Sequence, residues 1–330
     1  METSGESELC FPQLNTSCVR TKRPHFETAL TYTVLFSIAL LTAFLNLLII
    51  ISVSHFKQLQ SLTNLLLLSL AVSDFFEGFL LFFQIILIDG CWFLGDFMCA
   101  LYQYLDYIIS STAVGTMVLI SVDRYVAICD PLHYSTKVTQ NRVTVCVCLC
   151  WICSVVFQTV ILKDNLEQPG RYNSCYGDCI FVINEIAGFA DLIFSFILPI
   201  AVIVFLYMRV FVVAVSQALA MKLHQSHVAP VTLPLTKVTA QKSELKAART
   251  LGVVVVVFLM CLCPYYCVAL SSQNNLMDAS SAAFVICLYY FNSCLNPLIY
   301  VFSYPWFRKS VNFMITLKIL EPDSCEANML

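Results

Sequence analysis

Apolar residues come in seven long blocks, at about 30–54, 63–88, 97–128, 142–162, 187–215, 245–272 and 281–304, with polar stretches between them. Each block reaches the roughly 20 residues that a helix needs to cross a bilayer. Lipid offers a bare backbone no hydrogen-bond partner, so this much buried chain is tolerable only as a helical bundle. The pattern therefore predicts an all-α membrane protein, a bundle of seven transmembrane helices.

Composition agrees with that reading. Of 330 residues, 59% are apolar and only 12% are charged, where a soluble domain carries about a quarter charged. The net charge of −3 gives no footing for nucleic acid as a partner. Low-complexity tracts and repeats of solenoid period do not appear. Met1 to Phe26 is polar and lacks the apolar stretch of a cleavable signal peptide. Insertion is then expected to begin with the first apolar block.

Lys and Arg set the orientation. Lys57, Lys137, Arg142, Arg209, Lys222, Lys237, Lys242, Lys246, Arg249, Arg308, Lys309 and Lys318 fall after blocks one, three and five, at the adjoining helix ends or in the tail. The opposite side holds Arg20, Lys22, Arg23, Lys163 and Arg171. The bias places the N-terminus outside the cell and the tail inside. Around the first block it is weakest, because Arg20, Lys22 and Arg23 oppose a lone Lys57. The expected organisation is an extracellular N-terminus over 1–29, the bundle over 30–304, and a short amphipathic eighth helix with a cytoplasmic tail over 305–330. Asn15-Thr16-Ser17 is a glycosylation sequon on the outer side.

The 17 cysteines divide along the same lines. Nine fall well inside apolar blocks, where Cys acts as a small hydrophobe. Cys129 and Cys325 lie on the reducing inner side. Cys10, Cys18, Cys91, Cys99, Cys175 and Cys179 lie on the oxidising outer side, where disulfides persist.

Ionisable residues inside a membrane are expensive and usually functional. The acids within the blocks are Asp74 and Glu77 on the second, Asp106 and Asp123 on the third, and Asp191 on the fifth, with Glu185 at its entrance. No Lys or Arg lies in the outer half of any block. Arg124 shares a helix with Asp106, but about 27 Å of helix rise separates them. Asp106 and Asp191 thus lack an evident basic partner. An unpaired buried carboxylate costs several kcal/mol, and a cationic ligand from outside would offset that cost. Two plainer readings stand beside this one. Asp106 could be held by tyrosine hydroxyls and water, and Asp191 could face solvent or pair with a loop cation such as Arg171.

These residues carry a family resemblance. Asn46, Asp74, Cys99, Asp123-Arg124-Tyr125, Trp151, Pro199, Tyr207, Pro264 and Asn296-Pro297-Leu298-Ile299-Tyr300 stand in order on the seven blocks. The chain resembles rhodopsin-like G-protein-coupled receptors over nearly its whole length. Within that class the run from Asn292 to Phe307 looks like the fingerprint of trace amine-associated receptors.

The resemblance implies roles for particular residues. Asp106 matches the amine-binding aspartate, and Tyr290 the tyrosine that supports it. Asp191 matches a second acidic site found in many fish members. Tyr265 and Tyr266 match aromatic pocket positions, with Ser110 and Ser195 as further candidate ligand contacts. Tyr104 and Tyr107 lie beside Asp106. Cys99 with Cys179 resembles the disulfide tying the second outer loop to the third helix, and Cys18 with Cys175 the family's additional bridge. Cys10 and Cys91 are then left over, and sequence alone does not fix the connectivity. For activation and G-protein contact the resemblance implies Asp123, Arg124, Tyr125, Tyr207, Asn296, Pro297 and Tyr300. Arg124 could pair with Glu244 at rest, and Leu132 and the basic stretch Lys242 to Arg249 could meet the G protein. A solvated basic flank obeying topology rules accounts for those cations equally well.

The implied function is a plasma-membrane receptor for small cationic amines. It would be chemosensory, would prefer diamines or polyamines and would signal through a stimulatory heterotrimeric G protein, with no cofactor. An aminergic neurotransmitter-type receptor for a monoamine, or a rhodopsin-like receptor for a non-amine ligand, is the alternative. Nothing points to an enzyme, because no metal-ligand cluster or nucleophile–base arrangement is apparent. Two departures from the class matter. Leu262 stands where most members have tryptophan, and Ala113 replaces a hydroxyl that commonly helps hold sodium near Asp74, Asn292 and Asn296. That sodium site is therefore in doubt.

Overall fold

A computed structural model describes residues 8–20, 24–227, 235–271, 279–321 and 323–329, with side chains except at 217–227, 235–248, 251, 269–271, 279–282 and 300–303. Helices run where the apolar blocks lie. In chain order they are α1 (His25–His55), α2 (Leu62–Leu87), α3 (Gly95–Cys129), the short α4 (Tyr134–Lys137), α5 (Gln140–Ile161) and the short α6 (Lys163–Glu167). The fifth crossing joins α7 (Glu185–Asp191) through a π-helical stretch, Leu192–Ile197, to α8 (Leu198–His227). Then follow α9 (Leu235–Ser271), α10 (Ala279–Ser303) and α11 (Pro305–Ile315). α1, α2, α3, α5 and the α7–α8 unit are each long and apolar enough to cross a membrane. The described apolar parts of α9 and α10, Gly252–Val268 and Ala283–Ile299, are shorter.

Local chemistry sets several boundaries. Ser61 caps α2 by accepting from the Asn64 amide at 3.3 Å, and Asn184 caps α7 by accepting from the Ala187 amide at 2.8 Å. Pro199 has no N–H to give the Ser195 carbonyl one turn back, and its ring crowds that carbonyl. The π-helical stretch lies directly before it, and such bulges tend to mark functional sites. α9 begins at Leu235, ahead of the predicted start at 245. The added residues include Lys237, Gln241, Lys242 and Glu244, good helix formers that leave no trace in an apolar pattern.

Packing among the helices relies on small and polar residues, as expected where lipid removes the hydrophobic drive between them. A Cβ on Gly78 of α2 would come within 2.9 Å of the Ala43 backbone nitrogen, so α1 and α2 can meet there only at glycine. Asn46 Nδ2 donates to the Ser293 carbonyl at 3.0 Å, tying α1 to α10. Asn296 Nδ2 donates to Asp74 Oδ2 at 2.9 Å, tying α10 to α2. Trp151 Nε1 donates to Ser69 Oγ at 3.2 Å, tying α5 to α2. Bonds of this kind within membranes contribute about 0.6 kcal/mol each.

One end of the bundle is covalently stapled. The segment over 8–20 folds back on itself, Arg20 N donating to the Glu8 carbonyl and Cys10 N to the Cys18 carbonyl. It then pairs with the loop before α7, where Tyr176 N donates to the Thr16 carbonyl at 2.8 Å. Disulfides join Cys99 to Cys179 and Cys18 to Cys175, and also Cys10 to Cys91. The last is the pair that sequence reasoning left unassigned. Asn15 is exposed at the tip of this fold. Beside it Arg20 Nη2 meets Asp89 Oδ2 at 2.6 Å, and the Asp89 carboxylate raises the Arg20 pKa.

Breaking the Cys10–Cys91 link frees a closed loop with a sequence separation of 81. A Cys10→Ser substitution is expected to remove about 2–4 kcal/mol. Purified protein should then unfold at a lower temperature, and an unchanged midpoint would mean that the link bears no load.

Candidate functional site

Beneath the stapled end lies a cavity of about 720 Å³ between α3, α5, the α7–α8 unit, α9 and α10. Asp106 and Asp191 both line it, and Glu185 joins them as a third acid. Among the described residues no Lys, Arg or His does.

Asp106 projects from the middle of α3, two turns from Cys99, whose disulfide anchors that end of the helix. Its Oδ1 accepts from the Tyr290 hydroxyl at 3.1 Å. That hydroxyl lies 3.4 Å from the Tyr102 hydroxyl, which donates to Gln84 Oε1 at 2.6 Å. The tyrosine support expected from the resemblance is thus present, backed by a second tyrosine and a glutamine.

Asp191 closes α7 at the start of the π-helical stretch. Its Oδ1 accepts from Gln158 Nε2 at 2.9 Å and from Ser195 Oγ at 2.8 Å. Those two bonds hold one carboxylate oxygen against α5. The alternative of a salt bridge to Arg171 does not hold, because that guanidinium lies over the Tyr172 ring.

Aromatic rings form the wall opposite. Tyr266 stacks on Phe196 at 3.9 Å between centroids, and Tyr265 meets Tyr289 at 4.7 Å. Tyr107 lines the cavity. Tyr104 does not, and its hydroxyl bonds instead with Thr159 at 2.8 Å. Ser110, one turn along α3 from Asp106, lines the floor and bonds with the Tyr289 hydroxyl. It also donates to Glu77 Oε1 at 3.4 Å, and Glu77 Oε2 accepts from Ser293.

Comparison with known proteins gives the family. Residues 45–300 match the model of the 7 transmembrane receptor (rhodopsin family). Trace amine-associated receptor 13c of Danio rerio is 35% identical over 98% of this chain and 96% of its own length. Trace amine-associated receptor 9 of Rattus norvegicus is 36% identical over 98% and 97%. Trace amine-associated receptor 4 of Mus musculus is 33% identical over 99% and 96%. The chain belongs to the trace amine-associated receptors.

It is accordingly a multi-pass plasma-membrane receptor coupled to a G protein, and not an enzyme. In this receptor the end away from the staples carries a second polar cluster. Arg124 is buried there, its Nη2 donating to Asp123 Oδ2 and to Thr63 Oγ1, each at 2.6 Å. Asp123 also accepts from Thr63 Oγ1 at 3.0 Å and from the Tyr134 hydroxyl at 2.8 Å. Burial, and then the Asp123 carboxylate, push the Tyr134 phenol up to about 12. Tyr125 and Tyr207 pack near this cluster, and the Tyr207 hydroxyl is buried without a partner. Leu132 is 87% exposed, far beyond what an apolar side chain gains from water. The expected partner Glu244 lies outside the described side chains, as do Tyr300, Lys242 and Lys246.

Near Pro297 the Oδ1 atoms of Asp74, Asn292 and Asn296 are buried and without partners. Oxygens of this kind are the ligand type that a hard cation takes, and Ala113 adds no hydroxyl to the set.

Sequence reasoning missed Gln158, Gln84, Tyr102 and Tyr289 as parts of the site. For Gln158 a signal existed, since it is a lone amide in an apolar block and polar groups there are costly. The tyrosines gave none, because aromatic residues are common in any helix of this chain.

Proposed function

We propose that this receptor recognises small cationic amines, prefers diamines or polyamines, and serves chemosensation through a stimulatory G protein, with its N-terminus and staples outside the cell. The observation that carries the reading is the pair Asp106 and Asp191 on one cavity that no basic residue lines among those described. Trace amine-associated receptors are named for amines, and an ammonium at Asp106 would make a charge-assisted hydrogen bond in a desolvated cleft. Tyrosine faces around it would add cation–π attraction.

A diamine could satisfy both acids. A monoamine would leave one carboxylate in the cavity without a cation. Binding can open the receptor toward its G protein only if the ligand prefers the open state. The exposed Leu132 is a contact for that partner, and Asn15 is a site for a glycan.

The test is cyclic AMP accumulation in cells expressing the receptor, with linear diaminoalkanes of about three to eight carbons and the matching monoamines as a panel. Wild type should respond to diamines at lower concentration. Asp191→Ala should weaken diamines about 30-fold or more and leave monoamines near their starting potency. Diamine potency untouched by Asp191→Ala would refute the two-amine reading.

A further inference from the structure

Gln158 of α5 is 1% exposed, yet it lines the amine cavity. Its amide nitrogen is fully engaged, donating to Asp191 Oδ1 at 2.9 Å and reaching Ser195 Oγ at 3.3 Å. Its carbonyl oxygen, Oε1, is buried and has no partner among the described residues. A buried acceptor left unsatisfied costs on the order of 1–3 kcal/mol, and native interiors leave few of them. Reversing the amide would not help, because the nitrogen would then lose Asp191 and the oxygen would face that carboxylate.

Asp191 completes the picture. Both bonds that it accepts fall on Oδ1, so Oδ2 is the oxygen left for a ligand. Two acceptors, Asp191 Oδ2 and Gln158 Oε1, therefore belong to side chains held together by a direct hydrogen bond. A primary ammonium carries three N–H donors, and a tertiary ammonium carries one. The terminal torsion of glutamine is broad, and Gln158 already lines the cavity.

We propose that Gln158 Oε1 is the second acceptor for the ammonium held at Asp191, so that the receptor reads how many N–H groups that amine carries. The proposal rests on the two-amine reading above and adds a preference for a primary second amine over a tertiary one. Asp106 has no equivalent partner amide in contact with it. Its Oδ1 is bonded to Tyr290, and a single N–H suffices at its other oxygen. Gln158 acts here as a specificity-determining residue, and Ser195 Oγ still holds Asp191 Oδ1 when Gln158 is replaced. A role in positioning Asp191 alone is separable by experiment.

The probes are 1,5-diaminopentane, 1,7-diaminoheptane and their N,N,N′,N′-tetramethyl derivatives, tested by cyclic AMP response on full-length receptor. Methylation at both ends prevents a ligand from simply reversing itself. Gln158→Leu is expected to weaken the primary diamines about tenfold, the worth of a hydrogen bond from a charged donor. The tetramethyl compounds should change by less than about twofold, so the ratio of the two potencies falls. Gln158→Met, closer in shape, should give the same ratio. Surface labelling and the response to the matching monoamine verify that each variant has folded. Equal weakening of both compound classes would show that Gln158 only orients Asp191, and an unchanged ratio would likewise overturn the proposal. If Asp191→Ala leaves diamines untouched, the two-amine reading fails first and takes this inference with it. If that variant behaves as expected while the ratio stays fixed under Gln158→Leu, the inference about Gln158 fails alone.

Discussion

Asp106→Ala is expected to weaken every amine agonist of this receptor by about 30-fold at least, and by up to several thousand-fold. Removing one partner of a desolvated charge pair costs about 2–5 kcal/mol, much of it from leaving the other charge unpaired. Here the unpaired group would be the ligand ammonium, in a cavity whose other described acids are Asp191 and Glu185. The Tyr290 hydroxyl would lose its acceptor as well. Asp106→Asn separates charge from shape, because it keeps an oxygen for Tyr290 and discards the charge. It should fall nearly as far as alanine. Dose–response curves normalised to surface receptor provide the check. Wild-type potency in Asp106→Asn would mean that the ammonium is held elsewhere.

The second large effect is expected without any ligand. Asp123→Ala removes one carboxylate partner of Arg124 while Arg124 remains buried beside Thr63. Breaking a buried pair from one side typically costs about 3–5 kcal/mol. That cost falls on the arrangement described above, in which Arg124 is enclosed. The resemblance to rhodopsin-like receptors implies an alternative arrangement, opened for the G protein, in which Arg124 is freed. Basal cyclic AMP should therefore rise several-fold in Asp123→Ala, and amine should add less to it. Tyr134→Phe removes one hydrogen bond to the Asp123 carboxylate, worth about 1.5–3 kcal/mol, but leaves the ion pair in place and should produce a smaller rise. Basal signalling equal to wild type at equal surface density would show that this cluster does not hold the resting state.

Much of the architecture was legible in the sequence because the bilayer imposes a simple rule on helix length. The seven apolar blocks lie within the helices found to within about one residue at their ends, and the acids without a basic partner, Asp106 and Asp191, line one cavity. Asp106, which the resemblance matches to the amine-binding aspartate, lines that cavity. What escaped was set by contacts between distant segments. Cys10 and Cys91 are joined because the first residues fold back beneath the loop near Trp92, where Trp92 N donates to the Gly177 carbonyl at 2.7 Å. No local pattern announces that return. Tyr104 and Tyr107 look alike in sequence, yet three positions along α3 turn one toward α5 and the other to the cavity. Gln158 drew no notice since its partner Asp191 is 33 residues away. Glu77 was noted as an expensive acid, but its place between Ser110 under the cavity and Ser293 on α10 follows only from packing.

The central claim is that two carboxylates of one cavity receive two ammonium groups of one ligand. Its most direct test is a binding cycle on purified receptor in detergent or nanodiscs. Affinities of 1,7-diaminoheptane and heptylamine are measured for wild type and for Asp191→Asn. If the second ammonium sits at Asp191, deleting the amine and deleting the charge remove the same interaction, so their effects do not add. The account predicts a coupling of about 1.5 kcal/mol or more, with heptylamine binding both proteins alike. Additive effects, with the diamine retaining its advantage over heptylamine in Asp191→Asn, would contradict it.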